Sequence, residues 1–212
     1  VESASASHGR QRFHLAASNG FAAGYARSSA SLSCVAITGT GTHMERDWFG
    51  DSRIYRADLD SPETVGVRAA ERAMQRAGAR KPPTGRFPVL FDERVAAGLI
   101  GHLLAAANGS AIARGASWLR DRLDQPVLPA GLNVTENPLR PRIAGSRPFD
   151  GEGLPTVARD IVSDGVLTGW TLDLATARKL GLTSTGNASR GISGPPYPGN
   201  SNIALTQGSA SR

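Results

Sequence analysis

No continuous element can cross the stretch Gly78-Ala79-Arg80-Lys81-Pro82-Pro83-Thr84-Gly85. Its adjacent prolines lack the N–H that a helix interior or central strand needs, and each disfavours the helical region for the residue before it. With a glycine on either side, the segment reads as punctuation between folding units. It places the best domain boundary at residue 85, between a central α+β segment at 1–85 and a second domain at 86–212. A chain of 212 residues with 40% hydrophobic content can build one large or two small cores on this plan.

Ahead of the boundary, apolar and small residues alternate from Ser3 to Thr42, as at Phe13, Leu15 and Ala17, with Asn19-Gly20 as a turn signal. This predicts a β-hairpin with a long second strand. Met44 to Arg56 keeps period two while turning charged and aromatic, the pattern of a strand at a sheet edge or facing a partner. Ser61-Pro62-Glu63 then opens a helix with a capping hydroxyl, a proline at its first position and an acid in its first turn. That helix should run to about Ala77, burying Val65, Ala69, Ala73 and Ala77 and leaving Arg68, Glu71, Arg72 and Arg76 mostly toward solvent.

Past the boundary, Phe87 to Phe91 is a short apolar run, and Asp92 caps a helix predicted over residues 93–107. Ala, Gly and Leu surround this helix, which predicts that it is buried or clamped between layers. Asn108-Gly109 breaks it, Ser110 caps a third helical segment, and Gln125-Pro126 ends that segment near Asp124. Val157–Val162 and Val166–Leu172 flank Ser163-Asp164-Gly165 as a hairpin with a type I′ turn. Asp173 caps a helix over 174–180 closed by Gly181, and Gly191 to Gly199 is an extended loop. The fold class is α+β: an antiparallel sheet with packed helices, then a mainly antiparallel β region.

A zinc peptidase helix presents two histidines on one face with a glutamate as general base. Here the histidines are His8, His14, His43 and His102, and none has a second His or a Cys at ligand spacing. One turn to either side of His102 stand Gly98, Leu99, Ala105 and Ala106, whose side chains cannot coordinate a cation. The reading assigns this chain neither a metal site nor a catalytic residue of its own. Cys34 is the only cysteine, so no internal disulfide forms; it reads as a small buried apolar residue, compatible with a reducing compartment.

No G-x-S-x-G elbow is present. Asp150, Glu152 and Asp160, flanked by Arg147 and Arg159, have the types of an acid–base pair, but the segment reads better as a loop braced by Arg147 and Asp150. Ser184-Thr185-Gly186-Asn187-Ala188-Ser189-Arg190-Gly191 is the stronger binding candidate. Its glycines let backbone N–H groups approach a peptide while Arg190 receives a carboxylate. The net charge of +6 suits a solvated basic surface or an acidic partner. Aromatics are only 6% and no RNP-like or helix-turn-helix pattern occurs, so nucleic acid is not expected as a partner. No apolar run reaches the ~20 residues of a membrane helix.

Several blocks together resemble the TldD/PmbA family, in family order: Ser3-Ala4-Ser5-Ala6-Ser7, Ser18-Asn19-Gly20-Phe21, Met44-Glu45-Arg46-Asp47-Trp48, Phe87-Pro88-Val89-Leu90-Phe91-Asp92, Asn108-Gly109-Ser110, Arg147-Pro148-Phe149-Asp150-Gly151-Glu152-Gly153 and Ser184-Thr185-Gly186-Asn187. The resemblance implies a central fragment whose second part is the start of the C-terminal peptidase-like β domain. In metal-bearing members the helix at 93–107 carries His-Glu-x-x-x-His. Here Gly101 and Ala106 take the two ligand positions, and His102 stands where the general base would be. The family's Gly-Asn loop beside the cleft, Gly-Asn-Gly-Arg-Arg in metal-bearing members, is matched with Ala188 and Ser189 replacing Gly-Arg.

The resemblance therefore implies the non-metal, PmbA-like subunit of a zinc metallopeptidase complex, with no cofactor on this chain and zinc on a metal-bearing TldD-like partner. Extended or unfolded peptides would be the substrates, in proteolysis and peptide maturation in the cytoplasm, without a membrane. His102, Asn187, Ser189 and Arg190 would face substrate. The alternative is a non-catalytic binding or regulatory module for a DNA-associated protein, working without a peptidase partner.

Overall fold

A computed structural model describes residues 1–208. The chain forms two compact units: Val1–His14, Gly24–Pro88 and Arg142–Ala144 make the first, and Leu15–Ala23, Val89–Pro141 and Gly145–Arg212 the second.

The first unit is built on β1 (Ser3–Ala16), β2 (Ala22–Thr38) and β3 (Glu45–Arg53), a sheet of order β1-β2-β3. Gly20 turns the hairpin at φ +91°, while the Phe21 N–H donates to Asn19 Oδ1 at 3.1 Å. β2 and β3 run antiparallel with Cys34 opposite Phe49 and Ala36 opposite Asp47. Helix α1 (Pro62–Arg76) starts as its sequence dictates, with Ser61 Oγ accepting from the Thr64 N–H at 3.2 Å. Its stripe of Val65, Ala69 and Ala73 packs on Cys34 and Ala36, small side chains that bring helix and sheet close together. Burying Val65 contributes about 1.5–3 kcal/mol.

Ala77, expected in that stripe, is exposed because it has left the helix as its C-cap, and Gly78 follows at φ +71°. Arg68 and Arg72 are less free than the helical wheel suggests. Their guanidinium groups lie over the Phe49 ring, 5.0 and 4.8 Å from its centroid, and shield it with their stems. β1 is exposed along nearly its whole length. On the side of the sheet away from α1 it is tied to β2 by Ser5–Ser33 and Ser7–Ser31 hydroxyl contacts of 2.9 and 2.7 Å.

The second unit holds α2 (Glu93–Ala106), α3 (Gly109–Ala113), β4 (Val134–Glu136), β5 (Arg159–Ser163), β6 (Val166–Leu167), α4 (Leu174–Leu180), β7 (Ala188–Ser189), β8 (Tyr197–Pro198) and β9 (Ile203–Leu205). The sheet order is β6-β5-β4-β9, with β7 and β8 paired separately. Its core joins Leu103, Ala107, Ile112, Leu119, Val134 and Ile161. Phe21 belongs here too, edge-on to Phe149 with centroids 5.2 Å apart.

Four further expectations are corrected. α2 is held on one side only: Leu103 and Ala106 are buried, but Val95 and Leu99 remain 57% and 49% exposed. The third helical segment ends at Ala113 and is capped by Asn108, not Ser110, with Asn108 Oδ1 accepting from the Ser110 N–H at 3.0 Å. Beyond it Gly115 turns at φ +70°, and Ser117 replaces helical bonds by donating to the Ala106 carbonyl and accepting from the Leu119 N–H. The hairpin at Asp164-Gly165 has the expected two positive φ values, 47° and 78°, yet β6 is only two residues long. Thr171 instead bonds to α2's end, its N–H donating to the Ala107 carbonyl at 3.0 Å. The loop over 191–199 is also not wholly irregular, since Tyr197 and Pro198 pair with Ser189 and Ala188.

Candidate functional site

The polar centre of the second unit grows from the alternation of β4, which turns Val134 and Glu136 inward and Thr135 outward. The Glu136 side chain is 1% exposed and opposed by Arg159, both at 3.0 Å to Nε and to Nη2. Its other oxygen accepts from Asn187 Nδ2 at 2.8 Å and the Ser201 N–H at 2.6 Å, while Asn200 Nδ2 makes a longer contact of 3.3 Å to the oxygen that faces Arg159. Arg159 further donates to the Trp170 carbonyl at 3.1 Å and Thr171 Oγ1 at 2.9 Å. Burial pushes its guanidinium pKa down, against the opposing pull of Glu136. The partners of the carboxylate come from β5, the Asn187 loop and the adjacent pair Asn200 and Ser201, so one buried anion ties three segments to β4.

The Asn187 loop hangs from this centre. Asn187 is buried, and besides Glu136 it reaches the Gly199 carbonyl at 3.3 Å. Ser189 accepts from Arg147 Nη1 at 3.4 Å, and Arg147 Nη2 shares the same Gly199 carbonyl at 3.3 Å. Arg147 Nε is buried without a hydrogen-bond partner. Arg190, the next residue along, is exposed, with its Cβ side toward Gly151. Asn187 and Arg147 therefore converge on one carbonyl, with Ser189 held by the same guanidinium, whereas Arg190 is the group presented to solvent. His102 is exposed on α2, and no hydrogen bond or ion pair joins it to the loop among the described residues.

The loop at 148–153 is braced, but differently from expectation. Asp150 accepts from the Glu152 and Leu154 N–H groups, both at 2.9 Å, and from the Ala188 N–H at 2.9 Å. Arg147 turns away to Ser189 and Gly199. Glu152 accepts from the Leu174 N–H at 2.9 Å, at the start of α4, and its pKa is raised by burial and by the nearby Asp173 and Asp150 charges. Asp173 caps α4 in a closed capping box with Thr176, at 2.7 Å to its N–H. Asp150 spends its oxygens on backbone N–H groups and Asp160 is exposed, so the three acids form no acid–base pair. Glu136 itself escaped the sequence reading. Its signal was available: a carboxylate at an inward position of an alternating run must find a cation.

The two α2 positions that correspond to zinc ligands in the resemblance do not fit a metal. Gly101 is exposed and a side chain there would meet nothing within 4 Å, while Ala106 is buried at 9%. No three His, Cys, Asp or Glu side chains are grouped to hold an ion among the described residues.

Residues 84–212 match the PmbA/TldA metallopeptidase C-terminal domain, and residues 1–77 the central domain of the same proteins. The chain belongs to the PmbA/TldD metallopeptidase family. It is similar to the metalloprotease PmbA of Escherichia coli O157:H7, 42% identical over 171 residues, which cover 81% of this chain and 38% of that protein. In Haemophilus influenzae the PmbA homologue is 37% identical over 172 residues, covering 81% of this chain and 38% of its own. The TldD homologue from the same organism is 28% identical over 162, covering 72% and 31%. Among solved structures, a Bacteroides thetaiotaomicron protein whose name refers to modulation of DNA gyrase superposes with a TM-score of 0.85 at 27% identity, covering 97% of this chain and 44% of its own. The chain thus spans about two fifths of the length of the family members it matches. No helix among the described residues is long and apolar enough to cross a membrane.

Proposed function

We propose that this chain is part of the non-metal subunit of a TldD/PmbA-type zinc metallopeptidase complex, acting on extended or unfolded peptides in proteolysis and peptide maturation in the cytoplasm. The observation that carries the reading is the pair Gly101 and Ala106, where α2 offers an exposed hydrogen and a buried methyl in place of two imidazoles. The greater identity to PmbA than to TldD from one organism supports the same branch. Zinc and the hydrolytic step belong to a metal-bearing TldD-like partner. This chain contributes the cleft wall: Glu136 holds the Asn187 loop rigid, Ser189 and Arg147 shape its base, and Arg190 and His102 reach toward substrate and its carboxylates.

The test is reconstitution. Purified alone, the chain should contain no stoichiometric zinc and hydrolyse no unfolded peptide. Co-expressed with a His-Glu-x-x-x-His family member, it should copurify with it and raise peptide turnover. One zinc per isolated chain, or turnover without a partner, overturns the reading. A second reading, a regulatory module without a peptidase partner, is favoured by the gyrase-related name of the Bacteroides thetaiotaomicron protein. It predicts a change in gyrase supercoiling on adding the chain alone.

A further inference from the structure

A cavity of about 570 Å³ lies within the first unit, on the α1 side of the sheet. That size is within the range of small-molecule and short-peptide sites. α1 covers β2 and β3 and leaves this part of β1 open, so the floor is made by Ala6 on β1 and Leu32 on β2. Leu59, Pro62, His8, Arg56 and Asp60 also line it.

The charge of this lining is set by which acids are already engaged. Asp51 is paired with Arg53 at 2.9 Å, Asp60 with Arg68 at 3.2 Å, and Asp58 with Arg142. The Arg56 side chain has no ion pair or hydrogen bond among the described residues, and only its carbonyl is engaged, accepting from the Leu59 N–H at 3.2 Å. Asp60 also lines the cavity but is paired with Arg68, which leaves Arg56 as the lining cation without an ion pair, beside Ala6 and Leu32. Beside it β1 is an edge strand of the sheet, whose outward N–H and C=O groups have no strand partner among the described residues.

We propose that this cavity binds the free C-terminus of a short extended peptide that ends in an apolar residue. The terminal carboxylate pairs with Arg56, the last side chain lies on Ala6 and Leu32 against Leu59, and the peptide main chain pairs with the open edge of β1. Binding needs only this chain, so it stands or falls apart from the partner-dependent hydrolysis proposed above.

The chain is titrated with an N-acetylated tetrapeptide ending in leucine, as free acid and as amide, and with N-acetylleucine, followed by calorimetry and amide chemical shifts. The free-acid peptide should bind at least tenfold more tightly than its amide and shift Ala6, His8 and Leu32. Arg56→Gln should weaken it at least tenfold while circular dichroism stays unchanged, and Ala6→Phe, which fills the floor, should abolish it. N-acetylleucine should bind at least tenfold more weakly than the peptide; equal binding would assign the site to small carboxylic acids and overturn the peptide assignment. Equal affinity of acid and amide, an unaffected Arg56→Gln variant, or no binding overturns the proposal itself.

Discussion

The two units hold together by opposite uses of charge. In the first, arginines stay at the surface: Arg68 and Arg72 lie over Phe49, Arg76 stands 3.5 Å from Glu45, and the core beneath is alanine, valine and cysteine. In the second, an ion pair is buried beside the core, and loops with little regular structure converge on Glu136. A sheet and helix satisfy their own backbone and need only an apolar seam. A unit made of loops must be given its geometry by side chains, and a buried carboxylate with several donors does that at the expense of its own desolvation.

The largest expected effect lies in the second unit. Glu136→Ala leaves Arg159 buried without its counter-ion and should cost about 3–5 kcal/mol, read from urea unfolding by tryptophan fluorescence. A loss as small as that of an exposed pair would end the contrast between the units. Gly109→Ala comes next. Its new methyl would stand 2.7 Å from Leu172 Cδ2 and 2.8 Å from the Thr171 carbonyl and Thr176 Oγ1, for a loss of about 1–3 kcal/mol in the same assay. In the first unit, Arg68→Ala removes an exposed pair with Asp60 and should cost under about 1 kcal/mol.

Titration sharpens the same contrast at smaller amplitude. Burial raises the Asp51 pKa, but the Asp60 N–H and Arg53 outweigh it and hold the group below 3.8. Its contribution is present above pH 3.8 and lost as pH falls through the depressed value, so Asp51→Asn should flatten the acid limb of the stability curve. Glu152 has the opposite sign. Its pKa is raised above 4.5, so the contribution is complete below pH 4.5 and lost as pH rises through the raised value. Relative to the parent, Glu152→Gln should therefore be more stable at pH 8 than at pH 4, by thermal melts across that range. The reverse order would mean that the Leu174 N–H outweighs burial and the neighbouring acids.

What the sequence disclosed follows the same division. α1 and α4 were legible because their ends are chemical: Ser61, Pro62, Asp173 and Gly181 act within a few residues of themselves. The segment after Ala113 was not, because Ser117 and Thr171 form bonds with distant backbone that no local pattern encodes. The apolar circumference of α2 indicated two packing faces, yet the described chain supplies only one. At the candidate site, Asn187 and Ser189 were chosen for their loop chemistry, but their partners Glu136 and Arg147 lie 51 and 42 residues away, a separation invisible to motif reading.

The serine contacts between β1 and β2 have a consequence for alignment. A strand exposed on both faces has no oily side to choose its setting. Here Ser5 and Ser7 meet Ser33 and Ser31, while Ala4 and Ala6 occupy the other face. A slip of one position would set alanine methyls against those hydroxyls and undo both couplings at once. This hairpin keeps its place as a zip does, by matched teeth of oxygen.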